Sequence, residues 1–189
     1  MSDPARKQGK ARYEDILNLP DHELGEIIDG ELHVSPRPSL EHAMASSSLC
    51  EELIGPFSKR KGGGPGGWTI VVEPELHLGP DVLVPDLAGW KKERLASQPK
   101  NKSGTTVVPD WVCEVLSPSN ARLDRVVKVP KYASHGVNHL WLNNPGEKTL
   151  EAYALDKGKW VLLSTHAESD KVRVAPFEAI EFDLGGLWS

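Results

Sequence analysis

Only two cysteines, Cys50 and Cys113, occur in the 189 residues. That is too few for a disulfide scaffold and fits a reducing cytosol. The chain has no run of about 18 apolar residues, which excludes a transmembrane helix. Its opening, MSDPARKQGKAR, is charged with no apolar stretch behind it, which excludes a signal peptide. Bases are outnumbered, 22 Lys and Arg against 27 Asp and Glu, for a net charge of −5. This balance argues against coating duplex DNA by bulk charge and leaves only a local basic patch. What is present suits a globular chain: 39% hydrophobic residues, 17 glycines and 26% charged residues support a buried core and rule out wholesale disorder. The expectation is a soluble, cytoplasmic protein with no membrane contact. Residues 1–12 read as a disordered basic tail and 13–189 as a single domain.

A short helix is expected over Tyr13–Leu19, stopped by Pro20. In EIIDGELHV, Glu26–Val34, apolar residues flank Asp29-Gly30, a strong two-residue hairpin signal closed by Pro36 and Pro38. Ser39 can cap a helix from Leu40 to about Phe57, with Met44, Leu49, Leu53 and Ile54 as its apolar stripe. The run KRKGGGPGG, Lys59–Gly67, reads as a flexible loop. Strands are expected at Trp68–Val72, Glu75–Leu78, Val82–Leu87 and Trp111–Leu116, with a loop that has room for one helical turn over 91–106. A helix follows from Ala121 to Ser134, ending near Gly136. Strands at 139–142, 150–155, 160–164, 172–174 and 180–182 complete an α/β (α+β) pattern, a mixed sheet with helices packed on it.

The informative feature is acid inside apolar strands. In WVCEVL, Val112, Glu114 and Leu116 share one face, and Trp111, Cys113 and Val115 share the other. Both faces are apolar, which marks a central, doubly covered strand. A carboxylate there costs several kcal/mol unless a base or a metal compensates it. Asp86, at the end of Val82-Leu83-Val84-Pro85, poses the same problem. Two such carboxylates suit a hard cation such as Mg²⁺ or Mn²⁺. The alternative is a turn residue at Asp86 and a structural ion pair at Glu114, and spacing alone weighs the two evenly. On the helix beyond, Lys128 and Lys131 face the same way and are long enough to reach a carboxylate cluster. The bland alternative for Lys128 is an i,i+4 surface pair with Asp124, which for an isolated lysine on a helix would normally win.

At these positions the sequence resembles a known family. Pro85-Asp86, Glu114-Val115-Leu116-Ser117-Pro118-Ser119, Asp124, Lys128, Tyr132, Gly136-Val137 and Trp141-Leu142 are similar to the Uma family of restriction-endonuclease-like proteins. Glu26-Ile27-Ile28-Asp29-Gly30-Glu31-Leu32, Ser35-Pro36 and His42 resemble its opening segment. The likeness runs from Tyr13 to Tyr153. It implies the PD-(D/E)XK nuclease superfamily, with a mixed central sheet flanked by helices, an N-terminal hairpin and extra C-terminal strands. It further implies Asp86 and Glu114 as metal ligands and Lys128 as the catalytic lysine. The superfamily lysine normally lies two residues after the glutamate, where this chain has Leu116. The resemblance implies a lysine from the following helix instead. Pro130 should kink that helix, which makes Lys131 the understudy of Lys128. Asn144 stands before Pro145 where the family tends to carry an acid, and it reads as turn chemistry.

Glu26 and His42 are accessory candidates, whereas Glu31 reads as a solvated hairpin residue. His135 and His139 lack zinc-site spacing. The glycine run lacks the Gly-Lys-Ser/Thr ending of a phosphate loop, and Ser117 and Ser119 lack a nucleophile-elbow context. The tryptophans read as packing. Two functions stay open: a metal-dependent endonuclease acting on DNA, or a non-catalytic, nuclease-like module that binds nucleic acid or a protein partner. Retention of both acids and the lysine favours the enzyme. Basic residues at 6–12, 59–61 and 91–92 could line a channel. A homodimer is expected, since cutting a duplex needs two sites.

Overall fold

The computed structural model describes residues 10–96, 98 and 103–188. Most of the expected tail, residues 1–9, lies outside the described residues. Within it, the Ala11 N–H donates to Gly30 O at 2.7 Å, which ties the start of the described chain to the first hairpin.

Helix α1 (Tyr13–Leu17) leads into strands β1 (Glu23–Ile28) and β2 (Glu31–Pro36). Asp29 and Gly30 both have positive φ, 55° and 80°, the backbone that a two-residue turn between twisted strands requires. Helix α2 (Leu40–Leu53) starts on Ser39, whose hydroxyl accepts from the His42 N–H, and runs into a π-helical turn, Ile54–Ser58. Its buried face is His42, Ala45, Leu49 and Leu53. Met44, expected in that stripe, is 45% exposed because it lies off the 42-45-49-53 line. The glycine-rich run contains one short 3-10 turn, Lys61–Gly63, and is otherwise irregular.

Then come β3 (Trp68–Val72), β4 (Glu75–Leu78), β5 (Asp81–Leu83), β6 (Leu87–Lys91), α3 (Lys92–Leu95), β7 (Gly104–Thr105) and β8 (Trp111–Val115). Helical segment 121–134 is made of α4 (Ala121–Leu123), a π-helical turn Asp124–Lys128 and α5 (Val129–Ser134). Strands β9 (His139–Asn144), β10 (Thr149–Asp156), β11 (Lys159–Ala167), β12 (Lys171–Val172) and β13 (Phe182–Asp183) close the chain.

The strands form a six-stranded sheet ordered β11-β10-β9-β8-β6-β3 and a five-stranded sheet ordered β2-β1-β5-β4-β7, with β12 and β13 as a separate pair. The larger sheet is mixed: β8 runs parallel to β9 and antiparallel to β6. The α+β class agrees with expectation, but the hairpin belongs to a second sheet rather than to an appendage of the first. Expected strand Val82–Leu87 is in fact two strands, β5 and β6, in different sheets. The chain crosses between them at Val84-Pro85-Asp86, where Pro85 has no N–H to donate to a ladder.

Each face of β8 packs as its alternation dictates. Trp111, Cys113 and Val115 join α2, Trp141, Phe177, Phe182, Leu184 and Leu187 on one side. Val112 and Leu116 join Ile28, Leu76, Leu83, Tyr132 and Val137 on the other, between the sheets and segment 121–134. Glu114 is on this second side. Trp141 makes edge-on contacts with Trp111 at 5.2 Å and Phe177 at 5.5 Å, and its indole N–H donates to Ala175 O. Trp141→Ala should therefore cost about 3–5 kcal/mol in urea denaturation. The matched change Leu162→Ala, on the exposed edge strand, should stay within about 0.5 kcal/mol.

Candidate active site

Four elements and the crossing between the sheets converge on one small cavity of about 50 Å³, lined by Glu26, His42, Asp86, Glu114, Asp124 and Lys128 among others. Glu26 comes from β1 and Glu114 from β8. Asp86 comes from the crossing between the sheets and not from a strand. His42 comes from the first turn of α2, and Asp124 and Lys128 from segment 121–134. Proline 130 explains the local shape of that segment. Without an N–H it cannot continue the i→i−4 ladder, and just before it the Val129 N–H bonds back five residues to Asp124 O. Lys128 and Asp124 are then 3% and 5% exposed, facing the sheets.

The Lys128 ammonium has three donors, and three acceptors surround it. They are Glu26 Oε1 at 3.0 Å, Glu114 Oε1 at 2.9 Å and Val84 O at 3.0 Å, with Asp124 Oδ1 further off at 3.8 Å. Glu114 Oε1 also accepts from the Tyr132 hydroxyl at 2.5 Å. Glu26 Oε1 takes the Val84 N–H at 2.7 Å, so the crossing is held by both its N–H and its carbonyl. Asp86 is anchored at both oxygens, Oδ1 at 2.7 Å from His42 Nε2 and Oδ2 at 2.6 Å from the Val115 N–H.

Charge in this space is unbalanced: four carboxylates face one ammonium and one imidazole. Burial pushes the Glu114 carboxyl well above its usual range, and Asp124, Asp86 and Glu26 push it further, against the pull of Lys128. Asp124 is pushed up to about 6, mainly by burial and partly offset by Lys128. Burial alone would lower the Lys128 pKa, but Glu114 and Glu26 outweigh it and hold the amine well above its ordinary value. Burial likewise works against His42, whose hydrogen bond to Asp86 nevertheless raises it.

Among the described residues no three His, Cys, Asp or Glu side chains form a ready metal cage. A hard divalent cation needs less, since one or two carboxylates suffice when waters and a substrate phosphate complete the shell. The cavity holds four carboxylates against one ammonium and one imidazole, a donor set that suits such an ion.

Asp86, Glu114, Lys128, Glu26 and His42, singled out from the sequence, are thus brought together. Lys131 is not. Its ammonium pairs with Asp29 and lies 3.5 Å from Asp81, whose other contacts are His135 and the Asp29 N–H. Two lysines three apart on a helix share a side, but here each meets a different acid cluster. Glu31 is exposed on the hairpin. Asn144 Oδ1 accepts from the Glu147 N–H, the turn chemistry expected of it. Asp124 and Tyr132 carry more of the site than their sequence reading gave them. The signal was available: Asp124, Lys128 and Tyr132 recur every four residues, on one side of a helix.

Asp124 also fixes a pH dependence. Its folded pKa lies above the unfolded value of about 3.9. Its contribution is therefore fully present below that value and is lost as pH rises through about 6. In EDTA, Asp124→Asn should remove this loss, so that the variant gains on the wild type between pH 4.5 and pH 8 in denaturant midpoint. An unchanged difference across that range would contradict the assignment.

The sequence and the fold can be set beside known proteins. No curated protein matches the chain. A crystal structure described as a putative nuclease belonging to DUF820, from Anabaena variabilis ATCC 29413, is 20% identical, with a TM-score of 0.73 over 93% of this chain and 96% of that one. At that identity the likeness bears on the fold. The Uma2 family model, described as "Putative restriction endonuclease", matches residues 12–185. That span takes in every residue of the cavity, and the chain belongs to the Uma2 family.

Proposed function

We propose that this chain is a metal-dependent nuclease that hydrolyses phosphodiester bonds, with DNA as its substrate. The observation that carries the reading is the Lys128 ammonium fixed between Glu26 and Glu114 at a cavity also lined by Asp86 and Asp124. The family and the fold neighbour support the same chemistry. A Mg²⁺ or Mn²⁺ ion held by Asp86 and Glu114 would supply Lewis acidity and an acidified water. The protein's own residues do the positioning. Val115 N–H and His42 fix the two oxygens of Asp86, so the carboxylate enters the reaction without reorganising. Lys128 holds Glu114 through Oε1 and keeps a positive charge beside the place where negative charge develops on a phosphate. Tyr132 fixes Glu114 from behind. A homodimer would provide the two sites that cutting both strands needs.

A second reading, binding without cutting, draws on one observation: all three donors of Lys128 are already used, as in a structural ion-pair network. Nicking of supercoiled plasmid separates the two. The wild type should nick with Mg²⁺ or Mn²⁺ and stop with EDTA. Asp86→Asn keeps an acceptor for the Val115 N–H and should stay folded while losing a factor on the order of 10² to 10⁴ in rate. Millimolar Mn²⁺ should raise the melting temperature of the wild type and not of Asp86→Asn. No nicking with either metal would leave the binding module; equal nicking by the variant would remove Asp86 from the site.

A further inference from the structure

Two basic runs are not used by the acid cavity. Lys59, Arg60 and Lys61 follow the π-helical turn after α2, whereas Lys91 ends β6 and Lys92 starts α3. Both runs border β3: the Ile70 N–H donates to Ser58 Oγ at 3.1 Å beside Lys59, the Arg60 side chain lies against Gly66, the Lys92 N–H donates to Gly67 O at 3.0 Å, and Lys91 pairs with Trp68 across β3 and β6. Lys91 Nζ stands 3.9 Å over the Trp68 ring, which holds its side chain along the surface. All five basic side chains are exposed, and among the described residues none is paired with a carboxylate. The acids nearest in sequence are Glu52 and Glu93. Of 22 bases and 27 acids, five bases gather here, so the remainder carries 17 against 27. A concentration of cations on so acidic a body is a local feature and not a share of the bulk charge.

We propose that Lys59, Arg60, Lys61, Lys91 and Lys92 dock the sugar–phosphate backbone of nucleic acid. The nuclease reading above supplies the identity of the polyanion. Exposed Lys and Arg without acid partners release condensed counterions from phosphates, which gives sequence-independent, salt-dependent affinity.

The test is fluorescence anisotropy with a labelled 20-base-pair duplex in EDTA, from 50 to 200 mM salt. The variants are Lys59→Gln/Arg60→Gln/Lys61→Gln, Lys91→Gln/Lys92→Gln and a control, Lys157→Gln/Lys159→Gln/Lys171→Gln, on other exposed turns and strands. Circular dichroism melts verify folding. The triple patch variant should lose about 2.7 from the magnitude of the log–log salt slope and the double about 1.8, while the control stays near wild type. Wild-type affinity and slope in the patch variants, or an equal loss in the control, would overturn the docking site. Binding is read without metal, so the two readings fail separately. Patch-dependent binding by a wild type that never nicks would retain the docking site and remove the nuclease. Patch-independent binding by a wild type that nicks would do the reverse.

Discussion

One buried ammonium ties the molecule together. Lys128 comes from segment 121–134 and meets Glu26 of the five-stranded sheet, Glu114 of the six-stranded sheet and the Val84 carbonyl of the chain crossing between them. Taking each such ion out of water costs several kcal/mol, recovered only where geometry and hydrogen bonds are complete. The three donors of Lys128 meet three acceptors within 3.0 Å, so completeness is met on the cationic side. It is not met on the anionic side, where Glu114 and Asp124 are both raised. The imbalance is why the arrangement reads as a site and not only as a brace. Charge left over inside a fold is neutralised by protons, as the raised Glu114 and Asp124 show, and in the proposed function a divalent cation would take their place.

The same constraint explains features that look incidental. The interruption Val84-Pro85-Asp86 turns a would-be strand into a crossing, and it delivers both a carbonyl to Lys128 and a carboxylate to His42. The π-helical turn Asp124–Lys128 sits just before Pro130 and lets Lys128 and Asp124 face inward together. Extra turns of this kind recur at functional sites, where a helix must aim a particular side chain.

Much of this was legible in the sequence, for identifiable reasons. The alternation in Trp111–Leu116 announced a doubly buried strand carrying an acid, and Asp29-Gly30 announced its hairpin, because both signals are local. What depended on tertiary packing was harder to read. Met44 is as apolar as Leu49, yet the line of α2 leaves it exposed. Val82 to Leu87 has strand composition throughout, and only the existence of two sheets divides it. Lys131 and Lys128 are equivalent on a helix and differ only in which acids the sheets place opposite them. Asp124 read as a surface partner because its burial is set by a π-helical turn that local propensity does not announce.

The most direct measurement is a crystal of the protein soaked in Mn²⁺ and recorded at the manganese edge. An anomalous peak within coordination distance of both Asp86 and Glu114, with Lys128 still bound to Glu114, is the expected result. An empty cavity at saturating Mn²⁺, with Lys128 remaining the only cation between the carboxylates, would contradict a metal-dependent active site.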